Sequence, residues 1–411
     1  MSTTKPRMGK VMPWVIWSIG AIYVLYQFLL QSSTSVMVPC LMQAFHIQAI
    51  GVGVLSSSFF WAYTLCQIPA GIMVDRVGPR KVIIFSIIIC VLATIGFGVA
   101  NDAHRAEAYR ILMGFATAPA VAIALYLSAV WFPIKKFALL AGLTEAMGML
   151  GGAIGERFLA QCVGDFGWRP TLFISAAVGI FLLIAAIIFI HDHPVQALQK
   201  KRRRQRELTI WAQLKSVIGI AQTWWCGLFA GLLFSIIGGF ASLWAVPYVQ
   251  LEYHVNLSTA ALVSAMIFIG TAVGAPTWGW LSDRYGGRRP IMAIGTIMSL
   301  ISMLLFLYLS HVSLAWMYVL FLTLGFGCAV YVLPFAIVSR IMPLPVKGTA
   351  MGFINMLCIV IGAPLLQPIS GWLLELHHDG DYHLALSVFP MALALGLLVI
   401  LFIKPVKAYY N

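Results

Sequence analysis

GIMVDRVGPRKV, Gly71 to Val82, lies between two apolar runs of about twenty residues and breaks both. Asp75, Arg76, Arg80 and Lys81 crowd into it, with Gly71 four residues before the acid and Gly78 three after it. Adding 208 positions leads to GWLSDRYGGRRP, Gly279 to Pro290. Gly71, Asp75, Arg76, Gly78, Arg80 and Lys81 fall on Gly279, Asp283, Arg284, Gly286, Arg288 and Arg289. The same offset carries Val38-Pro39 onto Val246-Pro247, and an offset of 210 carries Gly142, Gly152 and Ala153 onto Gly352, Gly362 and Ala363. Three correspondences in one order mark two parallel repeats, which transporters arrange around a central site.

The composition says what surrounds the repeats. Of the 411 residues, 61% are hydrophobic and 9% charged, against roughly a quarter charged in a soluble domain. Apolar runs long enough to cross a bilayer, about 20 residues each, recur along the chain. They predict an all-α polytopic membrane protein with twelve spans, at 13–39, 51–73, 82–101, 108–131, 137–161, 171–190, 222–248, 258–281, 290–309, 315–339, 349–373 and 384–403. With the N-terminus inside, all but four of the 26 Lys and Arg fall on the cytoplasmic side, the exceptions being Arg105, Arg110, Arg157 and Arg169. Positive-inside bias thus accounts for the net charge of +13 and leaves no role for nucleic acid. The seven cysteines have no paired spacing suited to zinc or redox work; they read as small apolar packing residues. The first apolar run is too long for a signal-peptide core and reads as a retained span. Asn256 or Ser258 reads as the cap that opens the eighth span.

One long polar connection, from His191 to Lys215, divides six spans from six. The domain expectation is residues 1–192 for an N-terminal bundle, 193–218 for a cytoplasmic basic linker and 219–411 for a C-terminal bundle. The basic run Lys200 to Arg206 suits an anchor at an anionic leaflet. The other loops are too short to hold an enzyme domain.

The pattern G-x-x-x-D-R-x-G-x-R-[KR], between spans two and three and again between eight and nine, resembles the major facilitator superfamily over essentially the whole chain. That resemblance implies two six-helix bundles around a pore that opens to either side alternately, lined by spans one, four, seven and ten. It also implies that Asp75 faces the N-terminus of span eleven and Asp283 that of span five, where a helix dipole favours an anion. Gly71 then permits close helix approach, and Gly78 a tight turn. Arg76, Arg80 and Lys81 anchor the loop and pair across the bundles. Such contacts exist only in the state closed to the inside, so the motif biases one of two states.

Ionisable residues at membrane depth are functional candidates. Arg110 lies in YRILMGFATAP, which resembles the superfamily's R-x-x-x-G pattern in span four. Glu145 and Glu156 lie on span five, eleven residues apart and so near one face of a helix, about 16 Å apart along its axis. Glu145 has no Lys or Arg within a turn. A buried carboxyl without a cation favours its neutral form, which makes Glu145 the candidate proton-coupling residue; the alternative is a hydrogen-bonded structural acid. Its repeat partner, Asn355, suits hydrogen bonding to a substrate. Arg110 and Glu156 pair with each other, or Arg110 binds a substrate carboxylate bidentately; the sequence leaves both open. Tyr23, Gln27, Gln31 and Thr34 form a polar stripe on span one, suited to a cavity wall or to helix contact. Tyr26, Thr117, Trp244 and Tyr331 are weaker candidates, and Pro119 and Pro334 mark kinks.

The functional expectation is a monomeric secondary transporter in a bacterial inner membrane, with both termini cytoplasmic. Its substrate is a small organic anion, amino acid, short peptide or carboxylate siderophore, and its energy source a proton gradient; no cofactor or metal is called for. Span five has glycines in GMLGGAIG but lacks the proline typical of drug antiporters, which favours uptake over efflux. A sensor on the same fold predicts a large added cytoplasmic domain. A membrane-embedded enzyme requires a nucleophile with a base, or metal ligands, at membrane depth, and no expected span contains a histidine or a paired-carboxylate metal motif.

Overall fold

The computed structural model describes residues 11–133, 136–191, 215–285, 287–309, 312–342, 346–376 and 382–404, and within these not the side chains of Asp75, Arg76, Asp283 or Lys347. The basic run of the linker lies outside the described residues. Every regular element among them is helical.

Among the described residues, eleven helices are long and apolar enough to cross a bilayer. In chain order they are the first span Met12–Ser32, second Ala49–Val77, third Pro79–Val99, fourth Ala103–Trp131 and sixth Trp168–Phe189. The seventh is Ala221–Tyr253, the eighth Leu257–Tyr285, the ninth Arg288–Tyr308 and the tenth Leu314–Ile341. The eleventh runs from Lys347–Val360 through a wide turn to Leu366–Leu376, and the twelfth is Tyr382–Ile400. The remaining one, fifth in order, is Phe137–Phe166 with 30 residues. It packs between the first and eighth spans.

Twelve spans therefore form, close to the expected boundaries. His104 and His383 fall in the first turns of the fourth and twelfth spans, at the span ends. Asn256 caps the eighth span, accepting from Thr259 N at 2.8 Å.

The surface is inverted relative to a soluble protein. Phe181, Leu65, Met391 and Leu92 stand outward, while Ser, Thr and Gln side chains are buried among the apolar residues of the interior. Large apolar side chains exposed in this number require lipid rather than water.

The sequence repeat is also a packing repeat. A Cβ on Gly114 of the fourth span would land on the Phe59 carbonyl of the second, and one on Gly325 of the tenth on the Ile267 carbonyl of the eighth. Gly151 and Gly155 admit Leu25 and Leu29 of the first span, as Gly362 admits Phe234 of the seventh. Without a hydrophobic force between helices in lipid, such close crossings supply the attraction. His46 and His254, also 208 apart, both end their helices in the left-handed region, at φ 52° and 50°. Gly78 joins the second and third spans through a single residue with φ 105°, a value that favours glycine.

Gly114→Ala and Gly325→Ala are expected each to destabilise the protein by about 1–3 kcal/mol, read as a lower unfolding midpoint in detergent. Gly164→Ala, whose added Cβ meets nothing, is expected to be neutral or stabilising by up to about 1 kcal/mol.

Candidate functional site

The halves meet tightly at one face of the membrane and stand apart at the other. On the face that carries residues 46–50 and 254–258, Glu375 Oε1 accepts from Ile50 N at 2.6 Å, and Arg157 Nη1 donates to Ser258 O at 3.2 Å. Gly53 lies against the Gln367 carbonyl and Gly371 against that of Ala49. On the opposite face, which carries the Gly78 connection and is called here the linker face, a Cβ at Gly71, Gly142 or Gly279 would meet nothing within 4 Å. The structure is thus sealed at the far face and open at the linker face.

In this state the close approach expected at Gly71 is absent. Gly286 and the side chains of Asp75, Arg76 and Asp283 lie outside what is described. In this open state the motif cations bond within their own halves. Arg80 Nη2 donates to Ile187 O at 3.3 Å and Arg289 Nη2 to Leu401 O at 2.7 Å, each within its own half. The reason is local: the last carbonyls of the sixth and twelfth helices are orphaned, and a cation suits that end of a helix. Lys81 and Arg284 are exposed, Arg284 over the Trp280 ring at 5.2 Å; Arg288 is buried.

Where the open cleft ends, side chains from five spans converge. Tyr331 of the tenth span donates to Glu145 Oε1 at 2.8 Å, and Asn355 of the eleventh donates to Gln67 Oε1 of the second. Both bonds join the two halves. Tyr63 faces Glu145, Gln67 and Gln27, and Cys358 lies close to the same carboxylate. Gln27 Nε2 donates to Gln31 Oε1 at 3.1 Å, while Gln27 Oε1 is buried without a partner. Gln67, Glu145 and Asn355 are half-buried, within reach of the cleft. Among the described residues no cation pairs with Glu145. The cluster offers amides, phenols and one titratable carboxyl.

Local structure explains the arrangement. The first span stops at Ser32 and turns through residues 33–37 before the short helix Val38–Phe45. At the repeat position the seventh span stays helical but widens into a π-helical stretch, Ser235–Trp244, a feature that often marks functional sites. Arg110, wholly buried, serves the break. Its Nη1 donates to Leu30 O at 2.9 Å, and Nη2 reaches Gln31 O at 3.5 Å and Ser56 O at 3.4 Å. The guanidinium stacks on Phe59, 4.9 Å from the ring centre.

Arg110 therefore does not pair with Glu156, and it caps a broken helix rather than facing the cleft. Glu156, also wholly buried, accepts from Ser35 Oγ at 3.1 Å. Of the stripe on the first span, Gln27 and Gln31 join the central cluster. Tyr23 donates to Ala116 O and Thr34 pairs with Ser56, so both are helix contacts. Tyr26, Thr117 and Trp244 likewise bond to main-chain carbonyls, of Ser175, Met113 and Gln367. Sequence reasoning missed Tyr63 and Gln67. Their i,i+4 spacing on an otherwise oily span was the available signal.

The Major Facilitator Superfamily model matches this chain twice, over residues 20–246 and 228–409. A probable galactarate/D-glucarate transporter of Escherichia coli is 22% identical over 79% of this chain and 78% of its own. A probable sulfoacetate transporter of Cupriavidus necator is 25% identical over 90% and 89%. Among solved structures, a bacterial homologue of the human lysosomal transporter Spinster, described as inward-facing and occupied, superposes with a TM-score of 0.77 at 16% identity over 96% and 95% of the two chains.

Arg110→Met is expected to destabilise the protein by about 3 kcal/mol, with partial recovery in Arg110→Lys, whose ammonium lacks the planar fork. Thermal unfolding in detergent checks this. A methionine variant as stable as wild type that loses only uptake would instead place Arg110 on the substrate.

Proposed function

Since the chain belongs to the major facilitator superfamily, and is therefore a transporter rather than an enzyme, we propose that it imports a small organic anion together with a proton by alternating access. The observation that carries this reading is the carboxyl of Glu145, held by a tyrosine of the opposite half at the end of a one-sided cleft. The names of the two relatives, one for sugar diacids and one for a sulfonated acid, support an anionic substrate.

The coupling follows from charge. An ionised Glu145 about 4 Å from a substrate carboxylate opposes it by about 4 kcal/mol at an effective dielectric of 20. A protonated Glu145 removes that penalty and adds a donor, alongside Tyr63, Gln67, Tyr331 and Asn355. Proton and anion thus raise each other's affinity by up to about a thousandfold, and linkage makes the effect reciprocal. Because Tyr331 and Asn355 belong to one half and Glu145 and Gln67 to the other, a bound solute stitches the halves together as they rock.

The density of Lys and Arg assigns the linker face to the cytoplasm and, for a bacterial chain, the protein to the inner membrane. The sealed far face is then outside, and the structure stands in the releasing state. In the opposite state Asp75 and Asp283 reach the N-termini of the eleventh and fifth spans and close the linker face. The unit is residues 1–192 and 219–411 joined by the basic linker, acting as a monomer.

Proteoliposomes loaded against sugar acids, dicarboxylates, sulfonates, amino acids and dipeptides, with and without an inward proton gradient, test this. Glu145→Gln is expected to keep counterflow exchange of the accepted acid while losing gradient-driven accumulation; full accumulation in that variant would falsify the coupling. Asp75→Asn is expected to slow cycling roughly tenfold, the equivalent of about 1.4 kcal/mol. An unchanged rate would remove Asp75 from the gate.

A further inference from the structure

Glu156 is a second intramembrane acid that the transport reading does not use. It is wholly buried on the fifth span, at the seam where the first and eighth spans close the far face. Ser35, in the break of the first span, reaches Glu156 Oε1 at 3.1 Å and Ser32 O at 2.8 Å. Ser264, on the eighth span and so in the other half, presents its hydroxyl to the same carboxylate. Both Glu156 Oε2 and Ser264 Oγ are buried without a hydrogen-bond partner.

A serine hydroxyl has one proton to give, so Ser35 cannot serve both of its acceptors. One further proton, on the carboxyl, settles the whole group. Ser35 then donates to Ser32 O, Glu156 donates through one oxygen to a serine, and the freed acceptors take Ser264. Among the described residues no cation pairs with Glu156. Arg110 on the fourth span is committed to three carbonyls, and the neighbouring Arg157 to Ser258 O. Tyr23 and Tyr26 of the first span give their hydroxyls to Ala116 O and Ser175 O, and Arg169 of the sixth gives its guanidinium to Gly98 O. The charged groups of the eighth span, Asp283 and Arg284, stand at its linker end.

We propose that Glu156, Ser35 and Ser264 form a proton-operated latch on the far face, closed when the carboxyl is protonated and released when it ionises into water. The bonds are those of a simple acid equilibrium: the carboxylate takes a proton from far-face water as the seam closes, and returns it as the seam opens. An ionised, unpaired carboxylate is strongly disfavoured in a dry seam and well solvated in an open one. Falling pH at the far face therefore favours closure, and rising pH favours opening.

The latch is distinct from the coupling acid. About 16 Å of helix separates Glu156 from Glu145. The intervening turns are filled by Phe28 on Gly148, Leu25 on Gly151, Phe268 on Gly152 and Leu29 on Gly155. The latch proton exchanges with the far side alone, so it senses that solution and adds nothing to stoichiometry.

Spin labels at Gln48→Cys and Leu376→Cys, both exposed and on opposite sides of the seam, report its opening in lipid nanodiscs, in a background with the seven native cysteines replaced. The longer-distance population of the wild type is expected to grow several-fold from mildly acidic to mildly alkaline pH. In Glu156→Gln it stays small at every pH, while Glu145→Gln keeps the wild-type response, which separates this proposal from the coupling scheme. Should Glu156→Gln fail to fold, Ser264→Ala is expected to lower the midpoint of opening by roughly one pH unit, the tenfold change that loss of one hydrogen bond to a carboxyl brings. A wild-type pH curve in Glu156→Gln or an unshifted midpoint in Ser264→Ala overturns the latch. So does a wild-type population that ignores pH, or one that responds to sodium at constant pH.

Discussion

A carbonyl left bare in hydrocarbon costs several kcal/mol, and the first span frees carbonyls where its helix ends at Ser32. The guanidinium of Arg110 takes up Leu30 and Gln31 and ties them to Ser56 of the second span. With those ends satisfied, the chain can turn through residues 33–37 and bring Ser35 onto the fifth span. The break also ends the helical run that carries Gln27 and Gln31, so these amides remain at the level of Tyr63 and Gln67. This one cation thus ties the break in the first span to the second span.

The two halves solve the same packing problem and then diverge in charge. Gly114 and Gly325 bring the same pair of helices into contact in each half, and His46 and His254 terminate equivalent helices in the same backbone conformation. Yet Arg110, Glu145 and Glu156 have no charged counterparts in the second half, whose seventh span remains helical through a π-helical stretch. The two intramembrane acids therefore sit on one bundle, while the other supplies Tyr331, Asn355 and Ser264 as neutral side chains. Moving one bundle against the other changes what surrounds each acid while the acids themselves stay on their own rigid helix. That is the physical requirement for coupling a proton to a conformational change.

Much of this was readable from the chain alone. Apolar runs of bilayer length, the offset of 208 and the glycines of GIMVDRVGPRKV determined twelve spans, two repeats and a single-residue turn at Gly78, because hydropathy, register and positive φ are properties of a residue and its near neighbours. The same local logic marked Glu145 and Glu156, since an acid within an oily run stands out wherever it folds. Only the tertiary structure decided what those residues touch. It turned Arg110 away from Glu156 onto carbonyls of the first and second spans. It split the stripe of the first span between a cleft and a helix contact, and placed Tyr331 and Asn355 opposite Glu145 and Gln67 across nearly two hundred residues or more. Hydrogen-bond partners are chosen by which helices cross, and a crossing is set by packing between segments far apart in sequence, which no local pattern encodes.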